Sequence, residues 1–273
     1  MNQEQFLKNL NCPSGTVDLV LDTDTYNEID DQYALAYLLA CGGKLRVKGL
    51  CAAPFFNQHS ASPADGMRKS YDEILHLLKL AGREDLNSAV YRGSETYMQN
   101  EATPVPSPAA SFLADLAGQY TPEHPLYIVA IGAITNVASA LLLNPDMREN
   151  TVIVWLGGHA LHLPDTHEFN MQQDVAAARI VFGCGVPLVQ LPCSGVVDRY
   201  AAGRPWTRVI WDVTAVAWLM NDRGQFMDEE LRVSPIPEYD HHYAFDNRRH
   251  FIKYVTAIHR DALFEDLFTR LTR

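Results

Sequence analysis

The chain has 273 residues, 47% of them hydrophobic and 20% charged, which suits one full-sized core in an ordinary globular protein. A formal net charge of −11 argues against binding nucleic acid through phosphate contacts, and no apolar run reaches the roughly 18 residues a membrane helix needs. Five cysteines, odd in number and without a CxxC pair, together with the polar start MNQEQFLKNLNCPSG, predict free thiols in a cytoplasmic protein with no disulfide framework and no zinc site.

Short apolar runs alternate with longer amphipathic ones, the pattern of an α/β fold with a mostly parallel sheet flanked by helices. Val17–Leu21 reads as a buried strand and Asp30–Leu39 as a helix with aspartates in its first turn. LRVKGLCAA (45–53) is the second strand, and residues 62–82 form a helix stopped by Gly82. SAVYRG (88–93) reads as a short strand and SPAASFLADLAGQY (107–120) as a helix. LYIVAIG (126–132) is a strand, followed by a helix that Pro145 ends. TVIVWLGG (151–158) is a strand, VAAARIVFG (175–183) a helix and PLVQLPC (187–193) a strand. VIWDVTAVAWLM (209–220) opens another helix; RHFIKYVTAI (249–258) and DALFEDLFTRL (261–271) are a last strand and a closing helix. The stretches 101–110 and 234–250 read as loops within one large domain spanning residues 1–273. Sites in such folds form at the carboxyl ends of the strands, where DTDTYNEIDD, GGHALHLPDTHEFN and the aspartate of VIWD all fall.

The first of these clusters poses the chemical question. Asp22, Asp24, Glu28, Asp30 and Asp31 crowd the junction between a strand and a helix, where like charges raise one another's pKa unless something positive sits among them. By strand alternation Asp22 and Asp24 project from the same side, and the loop can fold Asp24 back towards Asp31. A cage of hard oxygen ligands of this kind suits Ca²⁺ or Mg²⁺ and not zinc. The structural alternative has Asp31 stabilised by the helix dipole and Asp22 hydrogen-bonded to the loop.

A strand running into DxD, then a loop, then DD at a helix start resembles the N-terminal signature of nucleoside hydrolases, calcium-dependent enzymes that cleave N-ribosyl bonds. The likeness continues through Asn57 of APFFNQHS, IVAIGAITNVASAL, VIVWLGG…HEFN…DVAAARIVF and VIWDVTAVAWLM, from about residue 17 to 270. The resemblance implies a Ca²⁺ ion held by Asp24, Asp31, Asp212 and the backbone carbonyl of Ile131. It implies Asp24 or Asp30 as the proton acceptor for the attacking water, and Asp30, Asn57, Glu168 and Asn170 as ribose ligands. It also implies a small-molecule nucleoside as substrate and assembly as a homo-oligomer, a dimer or a tetramer. Hydrolysis through an oxocarbenium-like sugar needs such a held water, a gripped ribose and a stabilised leaving base.

The sequence departs from the family in four places. The loop TYNEI is longer than the family's Pro-Gly loop, and the family's Gly-rich flap with a histidine is replaced by ETYMQNEATPVP, where Tyr97 could offer an aromatic wall. GGHALHLPDTHEFN is shorter than its counterpart and carries His159, His162 and His167. Trp211 stands where pyrimidine-tolerant members carry a histidine, which resembles the purine-preferring branch and implies a tryptophan that stacks on the leaving base. Two rival readings exist. LVLDTDT also fits the phosphotransferases of the haloacid-dehalogenase type, with Asp22 as nucleophile, although no lysine occurs between Lys79 and Lys253. The other rival is a non-catalytic relative that binds a metal and a ribosyl ligand.

Overall fold

The computed structural model describes residues 1–197 and 209–272. It begins with a short helix, Gln3–Asn9 (α1), not expected from the sequence and capped by the Asn2 side chain, which accepts from the Gln5 backbone N–H. Strand Val17–Thr23 (β1) runs two residues further than the sequence predicts and gives way to helix Ile29–Ala40 (α2). Leu45–Ala52 (β2) and Pro63–Leu80 (α3) follow. In α3 a proline occupies the first turn and Ser62 caps the N-terminus, while Gly82 sits beyond the last turn at φ +65°. The expected strand at 88–93 shrinks to Val90–Tyr91 (β3), because Glu84–Ala89 coil into a 3₁₀ helix.

Pro108–Ala117 (α4) is capped by Ser107, and Leu126–Ala130 (β4) leads to Thr135–Leu143 (α5) and the single turn Met147–Asn150 (α6). Thr151–Leu156 (β5), Phe169–Gln173 (α7), Val175–Gly183 (α8) and Leu188–Leu191 (β6) complete the next units. After Val213–Trp218 (α9) comes a strand that the sequence does not reveal, Met227–Val233 (β7). The region 234–250 holds a two-stranded hairpin, Ile236–Pro237 (β8) and Tyr243–Ala244 (β9), in place of the expected loop. Phe251–Ile258 (β10) and Arg260–Leu271 (α10) close the chain.

Eight strands form one sheet in the order β3-β2-β1-β4-β5-β6-β10-β7, parallel throughout except for β7, which pairs antiparallel with β10. This is the mostly parallel sheet expected from the pattern of elements. Both faces are buried: Leu19 and Leu21 of β1 join the core containing Leu35 and Leu38 of α2, while Val20 joins Val137 of α5 and Val181 of α8 on the other face. From β1 the chain winds outward through β2 and β3; from β4 it winds the opposite way through β5 and β6. The crevice above the carboxyl ends of β1 and β4 is therefore the switch point at which such folds bind ligands.

Candidate active site

Asp22 pairs across the sheet with Ala130 of β4 and is wholly buried, but its carboxylate belongs to the core rather than to the crevice. Asn136, in the first turn of α5, donates from Nδ2 to Asp22 Oδ1 at 2.8 Å and to the Ala52 carbonyl at 3.2 Å. The Asn136 Oδ1 accepts from the Ser94 N–H and hydroxyl, so one amide ties together three segments. Burial pushes the Asp22 carboxyl up to about 7, with the Asn136 bond opposing. Asp22 and Asp24 thus do not share a face, since the chain leaves β1 at Thr23, and a phosphotransferase reading loses its nucleophile. Asn136→Ala should cost about 1–3 kcal/mol, because it strands a buried acid. The denaturant midpoint should fall at unchanged slope; an unshifted midpoint would refute this role for Asn136.

One residue later the side chains turn to the crevice. The Thr23 hydroxyl donates to Asp31 Oδ1, and the Asp24 and Asp31 carboxyls lie close enough to perturb one another. Asp30, Asp31 and Asp212 each bring an oxygen within 4.8 Å of the others'. Asp30 replaces Asp24 in this tightest triad, and Asp24 lies on its flank through Asp31. The four are 1–4% exposed. Burial, and then the charge of Asp30, pushes Asp31 up to about 8; Asp24 and Asp212 are driven well above the usual carboxylate range by burial and by their acidic neighbours. Asp24 Oδ2 is buried with no hydrogen-bond partner. A buried, crowded, all-oxygen donor set with an orphaned oxygen fits a hard divalent cation, which would satisfy the oxygens and offset their mutual repulsion.

The neighbouring strands supply the remaining pieces. Ile131 continues the β4 ladder through its N–H to the Asp22 carbonyl at 2.9 Å, and its own carbonyl accepts from Asn170 Nδ2 at 3.2 Å. Asn170 Nδ2 also donates to the Leu156 carbonyl at 3.0 Å, so it bridges the ends of β4 and β5. Gly132 lets Asp24 approach: a Cβ there would sit 3.1 Å from Asp24 Oδ1 and 3.0 Å from the Ala53 Cβ. Glu168 caps α7, accepting from the N–H groups of Gly158, Asn170 and Met171 at 2.8–2.9 Å. Those three bonds leave about one of its roughly four lone-pair sites for a ligand. Asn57 donates to Asn27 Oδ1 at 2.6 Å, joining the loop after β2 to the loop after β1. The Trp211 N–H donates to Asp30 Oδ2 at 3.2 Å, and Asp212 begins α9.

All nine residues that the sequence assigns to the site (Asp24, Asp30, Asp31, Asn57, Ile131, Glu168, Asn170, Trp211 and Asp212) line one cavity of about 360 Å³. That volume lies in the range of small-molecule sites. His159 and His167 line it too, whereas His162 does not. Asn27, Gln58, Phe169, Cys193 and Ser194 line it without any forewarning in the sequence motifs. Of these, Cys193 could have been found, since it is the last residue of a predicted strand. Tyr97 is not an aromatic wall: its hydroxyl donates to Gln173 Oε1, and the Met98 N–H donates to Asp174. The segment in place of a flap is thus fastened to the junction of α7 and α8.

Residues 19–263 match the family described as inosine-uridine preferring nucleoside hydrolase. The chain is 30% identical over 141 residues to a probable uridine nucleosidase 2 of Arabidopsis thaliana, covering 42% of this chain and 43% of that protein. It is 30% identical over 142 residues to the pyrimidine-specific ribonucleoside hydrolase RihA of Citrobacter koseri, covering 44% and 46%. The matched part spans less than half the length of these curated relatives. Among solved structures, a plant nucleoside hydrolase, the PpNRh1 enzyme, superposes with a TM-score of 0.71 at 19% identity over 94% of this chain and 99% of that one, a likeness of fold. Since the family match runs through nearly the whole sheet and its helices, the chain belongs to the inosine-uridine preferring nucleoside hydrolase family.

Proposed function

We propose that the protein hydrolyses the N-glycosidic bond of ribonucleosides, releasing free base and ribose, with purines preferred. The observation that carries this reading is the buried carboxylate cluster at the switch point, opening onto a cavity also lined by carboxamides. Asp24, Asp31, Asp212 and the Ile131 carbonyl would hold a divalent cation, with Asp30 beside them. Calcium is the expected ion, because the site is large, oxygen-only and rich in charge. When bound, it supplies Lewis-acid polarisation of water and of the ribose hydroxyls.

The chain's own groups do the rest. Asp24, with an unpaired oxygen already in the site, accepts the proton of the attacking water, and Asp30 is the second candidate. Asp30 and Asn57 hold the ring hydroxyls of the ribose. Glu168 and Asn170 receive the 5′-hydroxyl, Glu168 through its one remaining lone pair. Their positions are fixed by backbone hydrogen bonds, so little ordering is left for the moment of binding. A panel of nucleosides assayed for reducing sugar with added Ca²⁺ tests the reaction. No ribose from any of them would leave a protein that binds without turnover.

Base preference rests on Trp211, half-buried against the core and lining the cavity. An indole cannot donate a proton as imidazolium can, but it can stack on a purine and favour its cationic, N7-protonated form by roughly 0.5–2 kcal/mol. A pyrimidine has a smaller face and no N7. The curated relatives carry uridine and pyrimidine in their names, so Trp211 is where this chain should part from them. The kcat/KM for inosine should exceed that for uridine, and Trp211→Ala should narrow the gap. Equal values for both nucleosides, or equal losses in the variant, would reduce Trp211 to packing.

A further inference from the structure

A base leaving a ribose needs a proton, and the cavity offers few groups able to give one. The four clustered aspartates are assigned to a cation, Glu168 caps α7, burial makes the Cys193 thiol a poor acid, Trp211 has no acidic proton, and among the described lining residues there is neither lysine nor arginine. Its imidazoles are those of His159 and His167. The His159 Nδ1 is buried without a partner and its backbone carbonyl accepts from the Tyr243 hydroxyl, so one side of that ring is closed off. His167 is different. Its side chain is 57% exposed, and Nδ1 lies 3.5 Å from Asp165 Oδ1, which leaves Nε2 as the nitrogen available to a ligand.

The ring of His167 is also backed from behind. His241, at the tip of the β8–β9 hairpin, lies with its ring centroid 4.0 Å from that of His167 at an interplanar angle of 33°. The Thr166 N–H donates to the His241 carbonyl at 2.7 Å, so the two loops are locked together one residue before His167. His241 has φ +62°, unique among the described non-glycine residues, a left-handed conformation that side chains rarely adopt. Arg179 holds the same hairpin through the Pro237 carbonyl and Glu238.

We propose that His167 is the catalytic residue that protonates the departing base, and that His241 is the positioning residue that holds its ring. The assignment rests on the N-ribosyl hydrolase reading above. In the step, the C1′–N bond breaks and its electron pair goes to the base, which takes the proton of His167 Nε2. Water adds to C1′ and gives its proton to Asp24; exchange with solvent returns the enzyme to its starting protonation. Burial, and then the neighbouring His167, hold the His241 pKa below the usual histidine value, which lets it stack as a neutral ring against a cationic partner.

The test compares two leaving groups. Inosine and uridine need a proton to depart, whereas 4-nitrophenyl β-ribofuranoside releases a phenolate that needs none. His167→Ala and His167→Gln should each lower kcat on the nucleosides about a hundredfold, the lower end of general-acid effects, while the nitrophenyl riboside keeps its kcat within about threefold. His241→Ala should give the same split at smaller size, and His162→Ala, outside the cavity, should leave both substrates unchanged. Equal losses on both substrates, or no loss on nucleosides, would overturn the role of His167. A wild-type protein that cleaves neither substrate overturns the hydrolase reading itself.

Discussion

Asp24→Asn should reduce turnover by a thousandfold or more, a barrier increase of about 4 kcal/mol, without unfolding the protein. The substitution removes a ligand oxygen and the proposed proton acceptor together. It should not harm the metal-free fold. Asp24 is 1% exposed and its carboxyl is driven up by burial and by the charge of Asp31, so a neutral amide of the same shape removes one member of a repelling set. The metal-free variant should melt at or above the wild-type temperature, and that measurement separates lost chemistry from lost structure. Glu168→Gln should weaken substrate binding with a smaller loss in kcat, since Glu168 chiefly shapes the loop as a helix cap. If Asp24→Asn keeps more than about a tenth of wild-type activity, ~1.4 kcal/mol, Asp24 is neither an essential ligand nor the proton acceptor.

Removal of the cation should be nearly as severe. Chelation is expected to abolish activity and lower the melting temperature, because an ion bound only by the native state stabilises it by mass action. At a hundred times Kd the linkage is about 2.7 kcal/mol, or roughly 5–10 °C for a chain of this size. Calcium should restore both properties, and zinc should restore neither. The sign of the pH dependence follows from Asp31, pushed up to about 8 without a cation. Below that pH the ion must displace protons, so affinity and the thermal shift should weaken on acidification. A melting curve indifferent to chelator, with no metal found by elemental analysis, would remove the site.

The sequence made the parallel sheet legible because β1, β4, β5 and β6 are buried on both faces and read as short, largely apolar runs. β7 was invisible for the opposite reason: MDEELRV is an edge strand, partly exposed, with charged residues in its middle. The β8–β9 hairpin, at two residues per strand, carries no periodicity at all. Residues that line the candidate site were readable where they follow a strand or open a helix, as Asp24, Asp31, Ile131 and Asp212 do. Alternation failed at Asp22 and Asp24 because β1 ends between them, and nothing local to LVLDTDT reveals the amide of Asn136, 114 residues away. His241 was unreadable for the same reason: its partner belongs to another loop.

The hydrogen bond from the Trp211 N–H to Asp30 joins residues 181 apart in the chain, and it ties the segment before α9 to the proposed cation cage. Loop closure over such a span is entropically slow, so the cage is expected to form after β1 and β4 have paired. An ion that needs Asp212 cannot help the earlier steps. Calcium should therefore leave the refolding rate nearly unchanged and act almost wholly on the unfolding rate, turning a thermodynamic ligand into a kinetic lock.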